Sequence, residues 1–196
     1  MRGPGDARRG GSSAGTGTDR NDESTDQEDP MLDRDPYAGL PELPTFELRS
    51  EDVVDGQPLA AAQVSGQDVS PQLSWSGAPE GTRSYVVTAF DPDAPTPSGY
   101  WHWALSNIPA DVTSLDSGAA ANPPQGATRH QTDGGSDAFE GAAPPPGHGP
   151  HRYIFCVTAV DTEKLDVEGA TPAVLNFNLF SHGIARAFIT GTHEEK

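Results

Sequence analysis

Three short segments gather the side chains with which this chain could do chemistry, and each lies at the end of an apolar run. Asp91-Pro-Asp-Ala-Pro95 directly follows the run Tyr85–Phe90. Its two prolines remove two backbone donors and fix φ, so the loop is stiff and displays both carboxylates at a strand end. In Trp101-His-Trp-Ala-Leu105, strand alternation puts both tryptophans and Leu105 on one face and His102 with Ala104 on the other. Gly147-His-Gly-Pro-His-Arg-Tyr153 approaches another strand through glycines. There His151 and Tyr153 share a face about 7 Å apart and can converge on one small ligand, while Arg152 points away. Each segment also has a plainer reading: an ordinary Asp/Pro turn, a satisfied core histidine among bulky neighbours, a loosened strand entry. Cys156 lies mid-strand among apolar residues, opposite the His151 and Tyr153 face, and reads as a buried core thiol rather than a nucleophile.

The elements that must position these groups are short. Apolar pieces at Thr45–Leu48, Pro58–Val64, Leu73–Trp75, Tyr85–Phe90, Trp101–Ile108 and Arg152–Val160 are each fenced by Pro, Gly or Asp and read as strands. Tyr85–Phe90 and Tyr153–Val160 are nearly continuous and rich in β-formers, as central strands covered on both faces should be. Ser117–Pro150 is long, rich in Gly, Ala and Pro, and nearly free of aliphatics; a loop of that length is functional or disordered. Thr171-Pro172 supplies an N-cap and a proline for the first helical position. Ala173, Phe177, Phe180 and Ile184 then follow at helical spacing, predicting one amphipathic helix. After Gly183, Arg186–Thr192 is either a closing strand or a continuation of that helix to Phe188.

Composition bounds the class. In 196 residues, 22 Gly and 19 Pro break the backbone often, which excludes a helical bundle. No apolar run approaches the ~18–20 residues that span a bilayer, and no hydrophobic segment follows the N-terminal arginines; both argue against membrane insertion and classical secretion. The formal charge of −17 repels phosphate backbones, so nucleic acid is a poor partner. Residues 1–36 hold 9 acidic and 5 basic residues with almost nothing to bury, and read as a disordered acidic polar tail. The remaining 20 acidic and 7 basic residues belong to a single domain over 37–196. An acidic chain with only two lysines fits a salt-rich cytoplasm and a GC-rich genome equally well. A lone cysteine allows no intramolecular disulfide or Cys-based zinc cluster and fits a cytoplasmic setting.

Taken in order, the segments resemble the phosphatidylethanolamine-binding protein family, also called the Raf kinase inhibitor protein family, and in particular its bacterial branch. The motifs are Ser70-Pro-Gln-Leu-Ser-Trp75 followed by Ser-Gly-Ala-Pro-Glu-Gly81, Asp91-Pro-Asp-Ala-Pro95, Trp101-His-Trp-Ala-Leu-Ser-Asn-Ile-Pro109, and the proline-rich Pro144–Tyr153. The resemblance covers about Pro44 to Thr192. It implies a mostly β fold, a large antiparallel sheet packed on a smaller one, with peripheral helices and one near the C-terminus. It further implies a small surface pocket for phosphate-like anions: Asp91, His102, His151 and Tyr153 as pocket residues, Asp93 and Pro95 shaping the loop, and Trp101 near the wall. Among members of the family the bond before the second proline tends to be cis, which predicts a cis Ala94-Pro95 bond. The sequence departs from the family pattern at Phe139-Glu-Gly-Ala-Ala143 and Thr132-Asp133, which leaves the geometry of the loop Arg129–Gly149 least defined.

The chemistry of these groups suits an anion. His102 and His151 can donate N–H bonds and charge near neutral pH, and the Tyr153 hydroxyl adds a third donor. Asp91 is out of place beside an anion unless it pairs with an imidazole or accepts from an amine of the ligand; the first role, orienting and charging a histidine, is the favoured one. The expectation is a non-catalytic binding or regulatory protein for a phospholipid headgroup, a phosphorylated small molecule or a phospho-residue, with no cofactor. The resemblance adds inhibition of a kinase or protease. Two alternatives stand beside it: a hydrolase or metalloenzyme built on His102, His151, Asp91 and Asp93, and a scaffold whose pocket is vestigial. The absence of HExxH, GxSxG and Walker patterns counts against the first.

Overall fold

The computed structural model describes residues 35–196, so the reading of residues 1–36 as a disordered tail falls almost wholly outside the described residues. Along the described chain run β1 (Glu47–Arg49), β2 (Gln57–Pro58), β3 (Leu73–Ser76), β4 (Ser84–Asp91), β5 (Tyr100–Pro109), β6 (Ser114–Leu115), β7 (Thr128–Arg129), β8 (His151–Val160), α1 (Pro172–His182) and β9 (Gly183–His193). A three-stranded sheet in the order β1-β3-β6 packs on a six-stranded sheet in the order β2-β9-β8-β4-β5-β7. Every pairing is antiparallel except the two-residue contact of β2 with β9. β4 and β8, the two most continuous apolar runs, are the central strands of the large sheet, and each is almost wholly buried.

Alternation along these strands sorts the core into two layers. Tyr85, Val87 and Ala89 of β4, with Phe155, Val157 and Ala159 of β8 and Trp103 and Leu105 of β5, face Leu73, Trp75 and Leu115 of the small sheet. On the opposite face, Val86, Ala104 and Val160 pack with Leu165, Val167 and two leucines of α1. No helix among the described residues is long and apolar enough to cross a membrane.

Three expectations need correction. Pro58–Val64 is not a strand: β2 ends at Pro58, and Ala61–Gln63 form a 3-10 turn, because proline gives no ladder donor and the alanines have little to gain from a pleated surface. The helix starts as expected, with Thr171 Oγ1 accepting the Val174 N–H at 3.3 Å and Pro172 in the first turn. Its buried stripe, however, is Leu175 and Leu179, not Ala173, Phe177 and Phe180; the two phenylalanines are 80% and 67% exposed. α1 stops at His182 and Ile184 belongs to β9, so the stripe that includes Ile184 never forms. Finally, Trp101 and Trp103 do not share a face. β4 pairs Ala89 with Trp103 but Phe90 with Trp101, so His102 is the extra residue of a β-bulge that reverses the alternation.

The long stretch Ser117–Pro150 is an ordered strap over one end of the large sheet. It is pinned by β7 and by His130, whose Nε2 meets Ser106 Oγ at 2.8 Å and whose Nδ1 meets the Ala170 carbonyl at 2.9 Å. Phe139 adds apolar anchorage, with ring centroids 6.1 Å from Trp103 and 6.3 Å from Phe155.

Candidate functional site

β4 and β8 run antiparallel, and their register brings the end of one beside the start of the other. Nδ1 of His151 lies 2.7 Å from Oδ2 of Asp91, and both side chains are buried. The other carboxylate oxygen of Asp91 accepts the backbone N–H of Asp93 at 2.8 Å. With both oxygens engaged, Asp91 holds the His151 ring in one orientation, the orienting role expected for it beside a histidine. The histidine it holds is His151.

Asp93 shapes the loop by gripping the neighbouring strand. Its Oδ2 accepts from the Arg152 backbone N–H at 2.9 Å and from Nε at 2.8 Å, and its Oδ1 accepts from a terminal guanidinium nitrogen at 2.6 Å. This fork raises the Arg152 pKa above its ordinary value, chiefly through the hydrogen bond to Asp93. Pro95 lies exposed at the rim of the loop. Ala94-Pro95 is trans, as is every peptide bond among the described residues, so the cis expectation is overturned. The turn is made instead by the Asp91–Asp93 bond, the fork to Arg152 and a Thr96 N–H to Ala94 carbonyl bond of 2.6 Å. Gly99 closes it at a φ of +68°, where a Cβ would run into the Phe90 ring and the Asp91 carbonyl.

The bulge turns His102 toward this cluster. Its Nδ1–H donates to the Glu140 carbonyl at 2.8 Å, which leaves Nε2 free of any hydrogen bond among the described residues. The ring sits edge-on to Tyr153, with centroids 5.1 Å apart, and 4.8 Å from that of Tyr100. Burial lowers its pKa below the usual histidine value, against a partial rise from the Glu140 carbonyl and Asp91. His102 is therefore a neutral imidazole at neutral pH, contrary to the expectation that both histidines charge there. The Tyr153 hydroxyl is buried and its O–H has no acceptor among the described residues, while the Ala143 backbone N–H lies near its oxygen. Burial first, and the Asp91 charge second, push its pKa far above the ordinary phenol value, so it stays an O–H donor.

Trp101 is the predicted residue that the structure takes away from the site. Its ring stacks on Phe90 at 4.3 Å on the opposite face of the sheet, and its backbone N–H donates to Asp133 Oδ2 at 2.9 Å. Cys156 is the inert core thiol expected, with its pKa pushed up to about 11 by burial.

Sequence reasoning missed the strap residues that complete the cluster. Nδ1 of His148 lies 2.7 Å from Nε2 of His151, the nitrogen that Asp91 leaves free. Glu140 supplies the carbonyl to His102, and its carboxylate accepts the Tyr100 hydroxyl at 2.9 Å. This bond, together with burial, pushes the Tyr100 pKa up to about 12. Gly141 lets the strap touch the backbone of Val64, where a Cβ would collide. The one available signal was local: His148 stands three residues before His151 in a glycine-flanked segment. The four central residues are only 2–6% exposed, so the expected open surface pocket is instead a closed cluster. Beside it, a depression of about 480 Å³ is lined by Ser65, Asp68, Tyr100, Ser136 and Glu140 among others. Among the described residues, no three His, Cys, Asp or Glu side chains are arranged to share a metal ion.

The phosphatidylethanolamine-binding protein family profile matches residues 49–194 of the chain. The UPF0098 protein YbhB of Escherichia coli is 45% identical over 155 residues, spanning 74% of this chain and 98% of that protein. The E. coli UPF0098 protein YbcL is 42% identical over 162 residues, spanning 77% and 88%. The crystal structure of E. coli YbcL, described as a new member of the mammalian PEBP family, superposes with a TM-score of 0.74 over 77% of this chain and 99% of that one. A homologue from Chlamydia trachomatis, described as a putative phosphatidylethanolamine-binding protein, superposes at 0.68 with 30% identity, over 78% of this chain and 99% of that one.

Proposed function

Since the chain belongs to the phosphatidylethanolamine-binding protein family, we propose that it is a non-catalytic binding protein whose site takes one phosphate-like anion at His151, His102 and Tyr153. The single observation that carries this reading is the Tyr153 hydroxyl, a buried donor with no hydrogen-bond partner among the described residues. Such a group costs about 1–3 kcal/mol unless something satisfies it, and on the same side stand His102, whose Nε2 has no hydrogen bond among the described residues, and His151, whose Nδ1 alone is taken by Asp91. His151, oriented by Asp91, offers Nε2, and His102 and Tyr153 offer neutral bonds. The anion could be the phosphate of a lipid headgroup, of a small molecule or of a modified residue, since the three share one chemistry. Inhibition of a kinase or protease, supported by the family likeness, and a cytoplasmic location, supported by the lone Cys156, are further parts of this reading. A site this small would hold one phosphoryl group of such a partner, and free phosphate would then compete with it.

Titrating the full chain with inorganic phosphate and separately with phosphoethanolamine, while following the ring signals of His102 and His151 by NMR, tests the reading. Saturable shifts at both rings are expected, and His151→Ala should weaken binding by roughly 1.5–3 kcal/mol, the range for a hydrogen bond to a charged group. Unmoved rings at millimolar ligand would overturn it. A preference for phosphoethanolamine would point to a headgroup rather than to free phosphate.

A further inference from the structure

Binding an anion at His151 does not by itself require His148, yet His148 occupies the ligand-facing side of that ring. Its Nδ1 is 2.7 Å from Nε2 of His151, with the rings edge to face and their centroids 5.0 Å apart. Nδ1 of His151 is committed to Asp91, so Nε2 is the nitrogen left for a ligand. We propose that His148 is a built-in plug: it holds the ligand-facing nitrogen of His151, and an anion enters by displacing it. The inference rests on His151 being a donor to the anion.

The proton count explains how the plug holds and how it opens. When the Nδ1–H of His151 donates to Asp91, its Nε2 is a lone pair that accepts the Nδ1–H of His148. One proton lies between the two rings. An anion needs a donor, so binding requires a proton on Nε2 of His151 and the departure of His148 from it. When each ring carries two protons, N–H faces N–H across the same gap and the contact fails. The plug therefore holds only while one of the two facing nitrogens lacks a proton.

The chain around His148 allows that movement. It sits between Gly147 and Gly149, with φ of +74° and +86°, and its ring is partly exposed, whereas His151 is buried in β8. Backbone bonds from Gly147 N–H to the Glu195 carbonyl at 3.2 Å and from His148 N–H to the Pro145 carbonyl at 3.1 Å hold the turn without engaging the ring. The titratable and charged groups around the two rings come from four strands and the loops that flank them. Asp91 of β4 bonds His151, and Asp93 beyond it binds Arg152. His193 of β9 stands opposite His151 in the register, with its Nε2 3.9 Å from Glu195. Tyr153 follows two residues on along β8, and His102 of β5 packs on Tyr153. Of these groups, Asp91 bonds one of the two rings directly and so fixes the orientation of His151.

Sulfate is the appropriate probe, because it keeps its double charge across the histidine titration range, about pH 5.5–7.5. At about pH 7.5, His148→Ala should bind sulfate roughly tenfold more tightly than the unmodified chain, the change expected when one competing hydrogen bond is removed. At about pH 5.5, acid to an ordinary imidazole, the difference should fall below twofold. Equal affinities at the higher pH, with measurable binding in both, would overturn the plug while sparing the anion site. If neither protein binds sulfate at any pH and no ring moves, the anion site fails and the plug with it. A measurement on the unmodified, 15N-histidine-labelled chain does not depend on the variant folding: a scalar coupling between Nδ1 of His148 and Nε2 of His151 should be present without ligand and vanish on saturation with sulfate. A coupling that survives saturation would overturn the proposal.

Discussion

Trp101 and Trp103, two residues apart on one strand, lie on opposite faces of the large sheet. Trp103 is fully buried between the sheets and meets Phe139, whereas Trp101 stacks on Phe90 on the other side. The bulge at His102 that separates them also aims the imidazole at Tyr153, so one extra residue in one strand both splits the tryptophans and places a site residue.

The two tryptophans should differ in what their removal costs. Trp103→Ala empties a sealed position and should lower stability by about 3–5 kcal/mol. Trp101→Ala leaves a partly exposed ring site on the outer face and should cost clearly less. Chemical denaturation of both variants measures the difference, and the reverse ranking would mean that the bulge is misplaced.

Tyr153→Phe should separate binding from stability. It removes a buried hydroxyl that has no hydrogen-bond partner among the described residues while keeping the ring against His102. Leaving such a group unsatisfied costs about 1–3 kcal/mol, so the variant should melt at or above the temperature of the unmodified chain. Its affinity for phosphate should fall, because the anion loses a donor. A drop in melting temperature of several degrees, with phosphate binding intact, would assign the hydroxyl a structural role.

Acid should destabilise the fold through its buried imidazoles. His102 and His130 both have their pKa lowered, in each case chiefly by burial. The unfolded chain therefore takes up protons at these residues at a higher pH than the folded one does. Stability is complete above the ordinary histidine value and falls as pH drops from about 6.5 toward the lowered folded values. His102→Gln should remove part of this dependence and leave the share due to His130. Denaturation midpoints at a series of pH values would show it as a shallower acid limb, and an unchanged limb would place the titration elsewhere.

Much of the architecture was legible in the chain because it depends on local chemistry. Tyr85–Phe90 and Tyr153–Val160 are β-rich and uninterrupted, and such runs gain most where both faces are covered, which is the centre of a sheet. Thr171-Pro172 marked the start of α1 through capping and a fixed φ, both properties of the residues themselves. Asp91, Asp93, His151 and Tyr153 were legible as a group because stiff turns and strand parity carry side chains to strand ends whatever surrounds them.

What depended on the partner across the interface was not legible. The face of α1 was decided by the sheet beneath it: Leu175 and Leu179 fill the space above Val86, Ala104 and Val160, and the phenylalanines that carry the same helical spacing remain outside. The side of Trp101 was decided by a bulge, and a bulge exists only in the register between β4 and β5. The neutral state of His102, the pairing of Asp91 with His151 rather than with His102 and the approach of His148 follow from burial and from contacts between residues up to 60 positions apart in the sequence. Residue type and spacing determined which groups could serve a site; only the tertiary structure decided which nitrogen each imidazole has left to offer, because that depends on what the packed chain brings to its other side.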